Sequence, residues 1–147
     1  MFKKILIPTD GSELSRKAVQ AGIQFASEIK AKVVGFYATE KYPIMVYGEY
    51  IPVEPISPEE FSRLEEARAK ALLGFIEASA KNAGVECTIE FCESAQPYEE
   101  IIKLAQAHGC DLIFMASHGR RGLSALVLGS ETNKVLTHSK IPVLIYR

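Results

Sequence analysis

Cysteine is scarce and unhelpfully spaced: Cys87, Cys92 and Cys110 are the only three in 147 residues, and no two form a CxxC pair. An odd set without paired spacing gives no support to a disulfide framework or a thiolate zinc site. The three therefore read as small buried hydrophobes. Histidine is equally sparse. His108, His118 and His138 fall on three different predicted elements without HxxxH spacing, so no imidazole set for a metal is present. An excess of charge is missing too. The 17 basic and 18 acidic side chains leave a formal charge of −1, and a chain without a basic field is a poor partner for nucleic acid.

Long hydrophobic runs are absent as well. The opening "MFKKILIPTD" carries two lysines and a short apolar run, but Pro8 and Asp10 cut that run far below signal-peptide or membrane-span length. The expectation is a cytoplasmic protein with no membrane partner. No Gly-x-Ser-x-Gly elbow marks a serine hydrolase, and no Walker-type lysine follows a phosphate loop, which weakens the case for an efficient ATPase. Internal repeats, low-complexity tracts and domain linkers are likewise lacking.

What remains is 48% apolar and 24% charged, a composition suited to one globular domain, 1–147, with a real core. Five short runs rich in β-formers recur: "KKILIP" (3–8), "KVVGFYA" (32–38), "ECTIEF" (86–91), "DLIFMAS" (111–117) and "PVLIYR" (142–147). Three are almost continuously apolar, as parallel strands covered on both faces must be. Between them the period changes to that of helices. Leu14, Ala18, Ala21, Phe25 and Ile29 form one stripe behind the cap residue Ser12. Ser57, Pro58 and Glu60 open a second helix as cap, first turn and capping box, and Phe61, Leu64, Leu72, Phe75 and Ile76 supply its core stripe.

A third helix starts near Pro97, buries Ile101, Ile102, Leu104 and Ala105, and stops at Gly109 in the left-handed conformation. The fourth runs from about Ser130 with Val135 and Leu136. The order βαβαβαβαβ predicts an α/β fold, a doubly wound parallel sheet. One connection is unusually long: residues 41–56, "KYPIMVYGEYIPVEPI", hold three prolines and three tyrosines and read either as a lid or partner surface or as a plain excursion.

Ligands of open α/β sheets collect outside the carboxyl ends of the strands, where the strand order reverses. Two features fall at such ends. "PTDGS" (8–12) leaves the first strand: Pro8 fixes the turn, Gly11 lets the chain bend, and Asp10 either holds a metal ion or hydroxyl or helps Ser12 cap the helix. "SHGRRGLSALVLGSE" (117–131) leaves the fourth strand. Gly119, Gly122 and Gly129 remove side chains where backbone comes close to something or takes positive φ. Gly129 and Ser130, at the start of the fourth helix, could gather amides, the helix dipole and a hydroxyl around a phosphate. The other reading is a long turn in which Ser130 only caps the helix.

The stretches "ILIPTDGSELS", "MASHGRRGLS" and "KIPVLIYR", spread along the whole chain, resemble the universal stress proteins. Nucleotide-binding members of that family carry Gly, two residues, Gly, nine residues, Gly and Ser or Thr. "ASHGRRGLSALVLGS" matches through Gly119, Gly129 and Ser130 but places Ala116 at the first position. The resemblance implies a Rossmann-like five-stranded parallel sheet of order 3-2-1-4-5, with ATP or another adenine nucleotide, accompanied by magnesium, between strands one and four. It also implies a homodimer through the last strand, 142–147.

By matched position, Pro8 and Thr9 border the ligand, and Asp10 meets the ribose or a metal-bound phosphate. Ala38 offers backbone to adenine, and Met115 and Ala116 line base and ribose. Gly119, Gly129, Ser130, Glu131 and Thr132 turn amides or hydroxyls to the phosphates, with Arg120 and Arg121 either reaching phosphate or solvated. The function implied is a dimeric regulatory nucleotide-binding module of the stress response rather than an enzyme. The alternatives are an interaction protein that has lost the nucleotide and, third, a slow ATP hydrolase.

Overall fold

The computed structural model describes residues 1–43, 56–120 and 127–147. Most of the long connection 41–56, together with Arg121 and Gly122, lies outside the described residues. Five strands, β1 (Lys4–Pro8), β2 (Lys32–Thr39), β3 (Cys87–Glu93), β4 (Leu112–Ala116) and β5 (Val143–Tyr146), alternate with α1 (Glu13–Ile29), α2 (Pro58–Asn82), α3 (Pro97–Ala107) and α4 (Ser130–His138). All pairings are parallel, in the order β3-β2-β1-β4-β5, as expected. The order reverses between β1 and β4, and the carboxyl ends of strands at such a reversal are where open α/β sheets form their ligand clefts.

The strands sort their side chains by parity. Ile5 and Ile7, Val33 and Tyr37, and Leu112, Phe114 and Ala116 enter one core layer with α1 and α2. Leu6, Val34 and Phe36, and Ile113 and Met115, enter the other with residues of α3 and α4. Two-sided burial is why these runs lack polar alternation. On edge strand β3, by contrast, Ile89 and Phe91 stay 36% and 42% exposed.

The helix starts follow local chemistry. Ser12 Oγ accepts from Ser15 N at 3.2 Å, and Ser57 Oγ accepts from Glu60 N at 3.1 Å with Pro58 in the first turn. The Glu60 carboxylate lies 3.9 Å from the Arg63 guanidinium. After α3 the chain turns through Gly109 at φ +65.

Several details correct the reading of the sequence. The buried stripe of α2 is Glu65, Ala69, Leu73, Ile76 and Ala80, whereas Leu64 is 52% exposed. The helix is rotated toward a buried carboxylate that has partners. Leu136 is exposed, and Ile102 and Leu104 are only half-buried, because α3 and α4 cover the sheet with narrower stripes. Of the cysteines, Cys110 is buried while Cys87 and Cys92, on the edge strand, are half-buried. Burial pushes the Cys110 thiol up to about 11, which keeps it protonated and unreactive at neutral pH.

Candidate functional site

At the end of β1 the chain knots itself. Thr9 Oγ1 and Ser15 Oγ are 2.8 Å apart, Gly11 N donates to Thr9 Oγ1 at 3.2 Å, and Asp10 N donates to Ser15 Oγ at 3.2 Å. Gly11 sits at φ +80, a conformation that costs glycine little and other residues more. Asp10 Oδ1 accepts from Ser12 N at 3.0 Å. The carboxylate therefore does support the start of α1, one of the two roles open to it from the sequence.

Its other oxygen reaches across the cleft. Asp10 Oδ2 accepts from Arg120 N at 2.7 Å, which joins the turn after β1 to the connection after β4. Gly119 lies so close to this carboxylate that a Cβ built there would overlap Asp10 Oδ2. Any side chain at 119 must displace Asp10. Gly129 is constrained by backbone instead: a Cβ there would meet His118 Cα at 3.0 Å and Ser117 O at 3.4 Å. Gly129 N donates to Ser117 O at 2.8 Å. Neither glycine has positive φ. Close approach, not left-handed backbone, is what requires them.

Gly129 is the N-cap of α4, and Ser130 is the first helical residue, which corrects the reading of Ser130 as the cap. Ser130 is exposed, and the first amides of the helix need partners from outside it. Thr132 Oγ1 donates to Ala116 O at 3.0 Å, and Glu131 Oε2 accepts from Tyr98 N at 2.9 Å. These two side chains brace α4 against β4 and α3, leaving their backbone as what they can offer a ligand. Met115 and Ala116 are 6% and 8% exposed and point into opposite core layers, so they too border the cleft mainly through backbone. The Ala116 methyl packs in the layer of α1 and α2.

Thr9 N donates to Phe36 O at 2.8 Å, just beyond the last β1–β2 pair. Strand alternation turns the amide and carbonyl of Ala38 the same way, past the end of β1 at Pro8. Next to it lies a cluster that the sequence did not reveal. Glu65, 9% exposed, accepts from Glu40 N at 2.8 Å and from the Tyr37 hydroxyl at 3.4 Å. Burial, and after it the Glu65 charge, raises the Tyr37 phenol above its ordinary range. The available signal was a glutamate in step with Ala69, Leu73, Ile76 and Ala80, the sort of position where charge is rare unless partnered. Glu40 in turn approaches Arg120 Nη2 at 3.5 Å. His118 Nδ1 lies 3.1 Å from Ser117 Oγ. No group of three His, Cys, Asp or Glu side chains among the described residues could hold a metal ion, so a cation here would need oxygens from its own ligand beside Asp10.

At the reversal point the hydrogen-bonding backbone of β2 stands on one flank, Asp10 in the floor and a helix start beyond, the kind of place where open α/β sheets take their ligands. A family model described as the universal stress protein family matches residues 1–147. Universal stress protein MJ0531 of Methanocaldococcus jannaschii is 33% identical, covering 100% of this chain and 83% of the relative. Universal stress protein YxiE of Bacillus subtilis is 32% identical over 100% of both chains. Among solved structures, hypothetical protein MJ0577 matches with a TM-score of 0.76 at 28% identity over 99% of this chain and 95% of that one. Universal stress protein UspA of Lactobacillus plantarum matches in fold, with a TM-score of 0.77 at 21% identity over 99% and 97%. A family model spanning the full length and relatives above 30% identity at complete coverage place the matter beyond the fold alone: the chain belongs to the universal stress protein family.

Proposed function

We propose that this chain is a regulatory module that takes an adenine nucleotide, ATP with magnesium in the first instance, into the cleft between the ends of β1 and β4. The observation that carries the reading is the junction of Asp10, Gly119 and Arg120. The aspartate of the first motif accepts the amide that follows the first glycine of the second, at 2.7 Å, with no room for a side chain between them. Two motifs more than a hundred residues apart thus form one wall at the sheet's reversal point.

In this reading Ala38 meets the base with its backbone, Asp10 the ribose or a magnesium-bound phosphate, and Gly129, Ser130, Glu131 and Thr132 the phosphate chain with amides and the Ser130 hydroxyl. Pro8, Thr9, Met115 and Ala116 shape the walls. The Ala116 methyl lies within the core layer, which supports its being accommodated in place of glycine. The fold itself admits adenine nucleotides: one structural neighbour is a universal stress protein in complex with cAMP, another a universal stress protein from Archaeoglobus fulgidus in complex with dAMP. Both Asp10 oxygens accept backbone amides, which favours a binding role over that of a general base and hence regulation over turnover.

The rest of the proposal concerns context. The chain acts as one domain, 1–147, in the cytoplasm and in the stress response. It forms a homodimer through residues 142–147, since β5 is a sheet edge whose residues stay half-buried in one chain, and edges tend to be covered. The test is to purify the protein from cells without added nucleotide, denature it, and identify what is released, followed by calorimetric titration of the stripped protein with ATP and magnesium. An adenine nucleotide in the released fraction and saturable binding on titration are expected. An empty fraction with no heat on titration would leave the interaction-protein reading in its place.

A further inference from the structure

The Glu40 and Arg120 side chains meet at 3.5 Å although 80 residues separate them. Exposed ion pairs are often adventitious, but here both backbones are clamped. Arg120 N is held by Asp10. Glu40 N is held by Glu65, which is itself buried and accepts from Tyr37. The pair therefore spans from the connection after β4, over the end of β1, to the residue after β2. It crosses the mouth of the cleft in which the nucleotide is placed above. Arg120 carries a positive charge into a corner where Asp10, Glu40 and Glu65 are the neighbouring carboxylates.

We propose that Glu40 competes with ligand phosphate for the Arg120 guanidinium, and that this competition sets how strongly the site prefers charged ligands over the bare nucleoside. The inference rests on the nucleotide-site reading. With the cleft empty, Glu40 neutralises Arg120. A phosphate-bearing ligand draws the guanidinium away, and part of its binding energy goes into breaking the pair. Glu40 is thus a specificity-determining residue that acts through Arg120, and adenosine, which has no phosphate, is indifferent to it.

The experiment titrates the parent, Glu40→Gln, Arg120→Gln and the double variant with adenosine, AMP and ATP, all with magnesium. Both side chains are substantially exposed, and the bond from Glu40 to Glu65 uses only the Glu40 backbone, so the variants keep the fold. Glu40→Gln is expected to tighten ATP about two- to fivefold, the range of an exposed ion pair, to tighten AMP less, and to leave adenosine unchanged. Arg120→Gln is expected to weaken ATP about tenfold, and in its background Glu40→Gln should bring no gain. An equal gain for adenosine and ATP, or a gain that survives in the Arg120→Gln background, overturns the competition while leaving the site intact. So does weaker ATP binding in Glu40→Gln, which would make the pair a strap. Failure of all four proteins to take up any of the three ligands overturns the site and this inference together.

Discussion

The turn after β1 and the connection after β4 stand side by side at one end of the sheet, yet they are held by different kinds of bond. In the first, Thr9, Asp10, Gly11, Ser12 and Ser15 satisfy one another within a stretch of seven residues. In the second the partners are distant: Gly129 N to Ser117 O, Thr132 Oγ1 to Ala116 O across 16 residues, and Arg120 N to Asp10 across 110. A knot of short-range bonds forms with little loop-closure cost, whereas long-range contacts need the sheet in place before they are gained. One region is a self-contained floor; the described ends of the other are held against that floor and against β4.

The sharpest way to break the contrast is Gly129→Val. The backbone there has φ −58, which valine tolerates, so the cost comes from its Cβ pressing on His118 backbone at 3.0 Å. Stability should fall by about 1–3 kcal/mol, as for other overpacked sites, and ATP binding should be lost. Urea unfolding and calorimetry check both; a variant with parental midpoint and affinity would show that the connection has slack and that the close approach has no role.

Ser130→Ala separates binding from folding. The hydroxyl is exposed and makes no hydrogen bond among the described residues, so the urea midpoint should stay put. ATP affinity should drop by about 1.5–3 kcal/mol, roughly ten- to a hundredfold, if a charge-assisted hydrogen bond is removed. Unchanged affinity would remove Ser130 from the site.

The mirror-image test lies in the other region. Ser15→Ala removes a buried hydroxyl from the knot and with it the acceptor of the Asp10 amide, while Thr9 Oγ1 keeps the Gly11 amide. A loss near 1 kcal/mol in stability is expected, with little change in affinity. A variant of parental stability whose ATP binding is lost would invert the assignment of floor and ligand-binding wall.

Ala116→Gly should do least. Affinity is expected to hold, and stability to slip by about 0.5–1 kcal/mol through backbone entropy in a strand. Binding that appears only with glycine would mean that the methyl blocks the ligand.

Much of this molecule was legible in its residues wherever the deciding interactions are local. Ser12 and Ser57 cap the helices expected of them, Gly109 turns the chain after α3, and the apolar runs became the central strands. On α2, Leu72, Phe75 and Ile76 do pack against the core, but aliphatic spacing favoured Leu64 over Glu65 at its start. A carboxylate is buried only where distant donors satisfy it, and those donors, Tyr37 and the Glu40 amide, come from β2.

By itself, then, the sequence determined the order of elements, their starts and the self-contained turn after β1, since each depends on periodicity or on groups a few residues apart. Only the tertiary structure decided why Gly119 and Gly129 are glycine: one faces the Asp10 carboxylate and the other the His118 backbone. It alone also placed Arg120 between Asp10 and Glu40. These contacts depend on β2, β1 and β4 lying next to one another, and adjacency of strands far apart in the chain is set by packing the whole sheet, not by any short stretch of residues.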